Sequence, residues 1–186
     1  RHWSFAKVRV LLDAVPAANK TLTLANDQCR FEPHIVIAQT GDTLKVTNPD
    51  SVGHNANLGF FNNKQQNFTI PAGQEKTVAL EENEPAPIPV DCNIHPWMKS
   101  YVVVLDHPFA AVSDENGDLT IKGLPVGEEL VFRVYHEAGG IKEVEINHVD
   151  DRVLHPITRC KPTLWQATLK GHLTAFKSDQ ANSTRS

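Results

Sequence analysis

A chain of 186 residues, 40% hydrophobic and 22% charged, can bury one ample core or two small ones, and its composition is that of a globular protein. The net charge of −4 makes no electrostatic case for nucleic acid, and the longest apolar runs, such as residues 101–105, are far too short to cross a bilayer. The opening Arg1-His2-Trp3 lacks the basic-then-apolar pattern of a secretory leader, and because it also lacks an initiator Met, a processed mature chain or an excised piece is expected.

In chain order, residues 7–15, 21–24, 35–39, 43–47, 77–81 and 101–105 are short, rich in β-branched residues, and separated by Gly, Pro, Asn or Asp. That pattern predicts strands. Gly41-Asp42 falls between two of them and reads as a hairpin turn. The polar stretch 62–67 is the only hint of helix, and it lacks apolar periodicity. Phe60-Phe61 reads as core. Short strands at regular spacing predict an all-β fold, a Greek-key sandwich or barrel.

After Leu105 the texture changes. Residues 109–113 and 119–121 flank Asp114-Glu115-Asn116-Gly117-Asp118, in which Asn-Gly supplies the positive φ angles of a tight hairpin. Gly123-Leu124-Pro125-Val126-Gly127 breaks the chain before residues 130–136, which alternate cleanly between two faces. Charge also divides the chain: residues 1–106 carry a net −2, 107–151 a net −7 and 152–186 a net +5. We therefore expect a first domain over 1–106, a second, smaller β-sandwich-like unit over 107–151, and a basic C-terminal extension over 152–186. The basic tail is expected to fold back on the acidic segment, while the polar stretch 177–186 frays.

The chemistry concentrates in Cys92-Asn-Ile-His95-Pro96-Trp97-Met98, which sets a thiolate, an imidazole and a thioether three residues apart on one short loop. Upstream stands His54-Asn55, and Met98 is the only methionine in the chain. Two imidazoles, one thiolate and a weak axial thioether are the ligand set of a type 1 copper site. The thiolate suits the reduced ion, imidazoles suit both oxidation states, and a distant thioether keeps water from the oxidised ion. The expectation is one copper ion on His54, Cys92, His95 and Met98. Zinc is the competing metal, but a structural zinc site favours more thiolates and has no use for methionine.

Asn48-Pro-Asp50, His54-Asn55 and the Cys92–Met98 loop together resemble the cupredoxin family. The loop is most similar to the short ligand loop of amicyanin and pseudoazurin, which also runs Cys-x-x-His-Pro-aromatic-Met. Phe31-x-Pro33, Gly41-Asp42-Thr43 and Asn48 resemble the family's opening strands, so the likeness covers roughly residues 20–106. It implies a cupredoxin-like sandwich with His54, Cys92 and His95 as equatorial ligands and Met98 as the axial one. It also implies a hydrogen bond from the Asn55 N–H to the Cys92 sulfur, which tunes the potential, and electron entry at the His95 ring edge. One departure stands out: the family usually has an aromatic residue two positions before the cysteine, where this chain has Val90. The later acidic-Asn-Gly hairpin with Leu-Pro-x-Gly resembles a transthyretin-like or carboxypeptidase-regulatory-like β unit.

The implied role is one-electron transfer between extracytoplasmic partners, periplasmic or secreted, with a redox partner protein docking near His95 and Trp97. An alternative is a copper-containing redox enzyme subunit, but multicopper oxidases need His-x-His clusters that this chain lacks, so no enzyme is expected. A third class is a metal-free adhesion or carbohydrate-binding sandwich, or a copper-binding module without redox work. Cys29 and Cys160 are the remaining thiols. They are candidates for a disulfide in an oxidising compartment, and Cys29 with His34 for a second metal pair.

Overall fold

A computed structural model of the chain describes residues 4–9, 19–114, 121, 130–136 and 140–146. The described residues form β-strands and loops, with no helix among them, as the short β-branched segments predict. They belong to two compact units, Leu11–Pro108 and Arg1–Val10 with Phe109–Ser186.

The second unit begins with the N-terminal strand. β1 (Ser4–Arg9) lies between β11 (Ala110–Val112) and β12 (Leu130–His136), and β13 (Gly140–Ile146) pairs with β12. All three pairings are antiparallel. The expected tight hairpin at 114–118 lies largely outside the described residues, as do the break at 123–127 and the basic segment 152–186.

Two mixed sheets build the first unit. One has five strands in the order β4 (Ile35–Gln39), β10 (Lys99–Leu105), β9 (Ile88–Asp91), β6 (His54–Leu58) and β7 (Gln66–Ile70). The other has four: β3 (Arg30–Glu32), β2 (Thr21–Asp27), β5 (Thr43–Thr47) and β8 (Glu75–Ala79). β10 runs parallel to β4, and β2 parallel to β5. Strand periodicity decides which side chains turn inward: in β5, Leu44 and Val46 are buried while the flanking Thr43, Lys45 and Thr47 are not. Leu24, Leu44 and Val46 of one sheet share a single apolar core with Ala56, Leu58, Val90, Val102 and Val104 of the other. Burying a Val or Leu side chain contributes about 1.5–3 kcal/mol, so this cluster fixes the sheets that carry the site.

The turn expected at Gly41-Asp42 is there, but it does not close a hairpin: it carries the chain from β4 in one sheet to β5 in the other. Gly41 takes φ 94°, a conformation that costs an L side chain and suits glycine. Asp42 closes this turn with a buried carboxylate that accepts from the N–H groups of Gln39 and Lys20, both at 2.8 Å. The stretch 62–67, the one hint of helix, is a loop followed by the start of β7. Of Phe60-Phe61, only Phe60 enters the core; Phe61 is 71% exposed. The loop holding it is fixed by the N–H groups of residues 61, 62 and 63, which converge on the buried Glu84 carboxylate.

Candidate metal centre

His54 is the first residue of β6 and completely buried. Its position is set by the loop before it. The Asn48 side chain donates to the carbonyls of Val52 and Ile70, both at 2.8 Å, and accepts from the Asp50 N–H at 3.1 Å. Opposite, the loop between β9 and β10 closes on itself. The Cys92 N–H donates to the Met98 carbonyl at 3.3 Å, and the Met98 N–H to the His95 carbonyl at 2.9 Å. Pro96 has no N–H to offer, so it leaves no orphan donor in this tight turn.

Asn55 joins the two segments. Its N–H donates to Cys92 Sγ at 3.4 Å, and its side-chain carbonyl accepts from the Asn93 N–H at 3.1 Å. Its side-chain amide donates to Asn67 Oδ1 at 2.8 Å and to the Phe68 carbonyl at 3.1 Å. This one side chain therefore ties the ligand loop to both β6 and β7.

The result is a convergence of three donors. His54 Nδ1 and His95 Nδ1 lie 3.0 Å apart, and Cys92 Sγ lies 3.8 Å from His95 Nδ1. The ligand atoms of His54, Cys92 and His95 all fall within 4.8 Å of one another. An ion of zinc's size binds imidazole nitrogen at about 2.0–2.1 Å and thiolate sulfur at about 2.3 Å, so donors sharing one ion stand roughly 3–4 Å apart. The donor set fits one ion. Met98 is buried in the core cluster together with Cys92, at the end of the same loop. Val90, in the place where an aromatic residue is usual, is buried in that cluster beside Ile88, so aliphatic packing takes the position next to the thiol.

Exposure around the site is uneven. Cys92, Met98 and His54 are buried, and His95 is partly exposed. Three of the large apolar side chains left in solvent belong to the segments bearing these donors: Val52 at 46%, Ile94 at 52% and Trp97 at 66%. Trp97 leans on His95, with ring centroids 5.2 Å apart.

A second group of donors adjoins the first. Cys29, Asp50 and His54 also place their ligand atoms within 4.8 Å of one another; His34, the other residue expected near Cys29, packs edge-on against Tyr101. Cys160 lies outside the described residues. Asp50 Oδ2 accepts from His54 Nε2 at 2.8 Å. The Cys29 N–H holds the Asp50 carboxyl below the usual carboxylate range against the opposing effect of burial, helped by the Gln28 N–H and His54. Sequence reasoning gave Asp50 no role: His54 stands only four positions on, but the Gln28 and Cys29 N–H groups that clamp the carboxyl lie more than twenty positions upstream, in the turn between β2 and β3.

No family model matches the chain, and no curated protein matches it. Among solved structures it is similar to a copper-containing nitrite reductase from Thermus scotoductus, with 18% identity and a TM-score of 0.42 over 54% of this chain and 25% of the reductase. The chain thus spans about a quarter of that enzyme's length. It is also similar to an amicyanin variant in its Cu(I) form, with 18% identity and a TM-score of 0.41, over 53% of this chain and 98% of the amicyanin. A purple cupredoxin from Nitrosopumilus maritimus is 24% identical with a TM-score of 0.37, over 44% of this chain and 97% of the cupredoxin. The case for the site rests on its own atoms.

Proposed function

We propose that the chain is a mononuclear type 1 copper protein that carries single electrons between redox partners outside the cytoplasm, in the periplasm or as a secreted protein. His54, Cys92 and His95 are the close ligands in this reading, and Met98 the weak axial one. The observation that carries it is the convergence of two imidazole nitrogens and one buried sulfur within 4.8 Å, on a loop and a strand held by the same sandwich. A copper ion there supplies the redox change, alternating between Cu(I) and Cu(II).

The protein's part is to hold, shield and expose. Asn55 and the closed 92–98 loop keep the donors fixed, and a rigid donor set lowers the rearrangement that each electron transfer demands. Burial of Cys92 and Met98 keeps water from the sulfur side. The Asn55 N–H draws charge from the thiolate and so raises the potential. His95 is the partly exposed donor, and Val52, Ile94 and Trp97 give its surroundings the apolar character that suits a short-lived protein contact. The second unit, whose 107–151 segment resembles a transthyretin-like module in sequence, takes no part in this chemistry.

The test is a spectrum of the copper-loaded protein. Intense visible absorption from a copper–thiolate bond is expected, together with reversible one-electron voltammetry and no turnover of small substrates. Cys92→Ser should abolish the colour while far-ultraviolet circular dichroism stays that of the folded sandwich. A colourless wild type, or a coloured Cys92→Ser, would reject the ligand assignment.

A further inference from the structure

The two-residue turn between β2 and β3 has an unusual composition for its shape. Gln28 and Cys29 have φ of 52° and 55°, the left-handed pair of a type I′ hairpin that Asn-Gly normally fills. A non-glycine residue pays roughly 1 kcal/mol or more in that region, so something outside the hairpin has to hold it. Asp50 does. The Gln28 N–H donates to Asp50 Oδ1 at 2.8 Å and the Cys29 N–H to Oδ2 at 2.9 Å. Successive N–H groups in this conformation form a concave anion seat, and here the anion is a side chain of the same protein.

The seated carboxylate has one further task. Its Oδ2 also accepts from His54 Nε2 at 2.8 Å, and His54 is completely buried. A neutral imidazole carries one ring proton. With that proton on Nε2, the lone pair stands on Nδ1, the atom 3.0 Å from His95 Nδ1. The turn also reaches the opposite ligand segment, because the Cys29 carbonyl accepts from the Trp97 indole N–H at 3.1 Å.

We propose that Asp50, clamped by the Gln28-Cys29 turn, is a positioning residue that sets the tautomer and ring orientation of His54, so that its Nδ1 is presented to a metal ion. This rests on the metal reading above and extends it to a hairpin on the other sheet. Cys29, Asp50 and His54 are close enough to be taken for a separate ion site, but the arrangement argues otherwise. Both Asp50 oxygens already accept N–H donors, and the His54 nitrogen facing them carries the proton. An ion there would have to displace the contact that the turn is built around.

The experiment pairs a metal-free readout with a metal-binding one. Long-range proton–nitrogen correlation spectra of the metal-free protein report which ring nitrogen of neutral His54 is protonated, and calorimetric titration with Zn(II) alone reports affinity. The wild type should show Nε2–H. Asp50→Ala should mix the two tautomers and weaken Zn(II) binding about 10–100-fold, the usual effect of losing such a partner. Asp50→Asn keeps an acceptor for the turn and serves if the alanine variant does not fold; it should give a smaller shift of the same sign, and Asp50→Glu should restore part of the affinity. An unchanged tautomer with unchanged affinity in the folded variants overturns the proposal. So does an Nδ1–H tautomer in the wild type, or a second equivalent of Zn(II) that Cys29→Ala removes. If wild-type protein shows the Nε2–H tautomer but its Zn(II) binding does not depend on Cys92, the metal reading fails while the role of Asp50 in orienting His54 stands.

Discussion

Met98 lies among the apolar side chains of the core, so replacing it by leucine conserves volume and should cost the fold less than about 1.5 kcal/mol. Met98→Leu should retain copper and raise the reduction potential, because losing even a weak donor disfavours the oxidised ion. Voltammetry checks this, and an unmoved midpoint would remove Met98 from the ligand set. Asn55→Ala should be costlier to stability, since it strips hydrogen-bond partners from residues 67, 68 and 93 while leaving the backbone N–H to Cys92 in place. Denaturant unfolding should show a loss of roughly 0.5–1.5 kcal/mol, the net worth of a hydrogen bond whose partner can turn to water; an unchanged stability would contradict the bridging role. The grouping of His54, Cys92 and His95 was legible in the sequence because the expected donor set names the residue types and a short loop fixes the spacing of Cys92 and His95. Asp50 and Cys29 were not: Asp50 stands only four residues from His54, but the turn that clamps it belongs to the other sheet, and no local pattern encodes that meeting. Phe61 was misread for a related reason: its neighbour Phe60 fills the core, and only the outward loop decides that the second ring stays in solvent.

Short β-branched segments were also legible, and 35–39 and 43–47 coincide with β4 and β5. Two others carry a disguise. β9 is four residues long and contains Pro89, which argues against a strand by composition. β6 reads His-Asn-Ala-Asn-Leu and looks polar because the donor and its bridging neighbour are buried there. The loops at the other end of these strands depend on Glu84. Burial opposes ionisation of this carboxyl, yet the N–H groups of Asn63, Phe61 and Asn62 and the Asn63 side-chain amide outweigh it and hold the carboxyl below the usual range. A depressed value in the folded state means that the stabilisation is complete above the ordinary carboxylate range and fades as pH falls through the folded value. Glu84→Gln should therefore lower the unfolding free energy at neutral pH by roughly 1–3 kcal/mol and flatten the acid limb of the stability curve. Equal acid sensitivity in the variant and wild type, measured by urea unfolding across pH, would show that the carboxylate is not the latch.

For the molecule as a whole, an ion bound only by the folded state adds stability in proportion to its occupancy. Metal at about a hundred times its dissociation constant should raise the unfolding free energy by about 2.7 kcal/mol, and heat unfolding with and without Zn(II) checks it. No rise in Tm for wild type, or the same rise in Cys92→Ser, would detach the ion from this site. The overall architecture was only half readable: alternation gives strands, but parallel neighbours such as β4 with β10 are joined by pairing across most of a domain. The same long reach appears in β1, which sits between β11 and β12 with Ser4 opposite His136. β1 and β12 are separated by most of the described chain, so the hydrogen bonds of the earlier strand can close only once the later one is in place. Until then its backbone stays open to other partners, and a cut anywhere within residues 4–9 would leave two raw sheet margins where a seam had been.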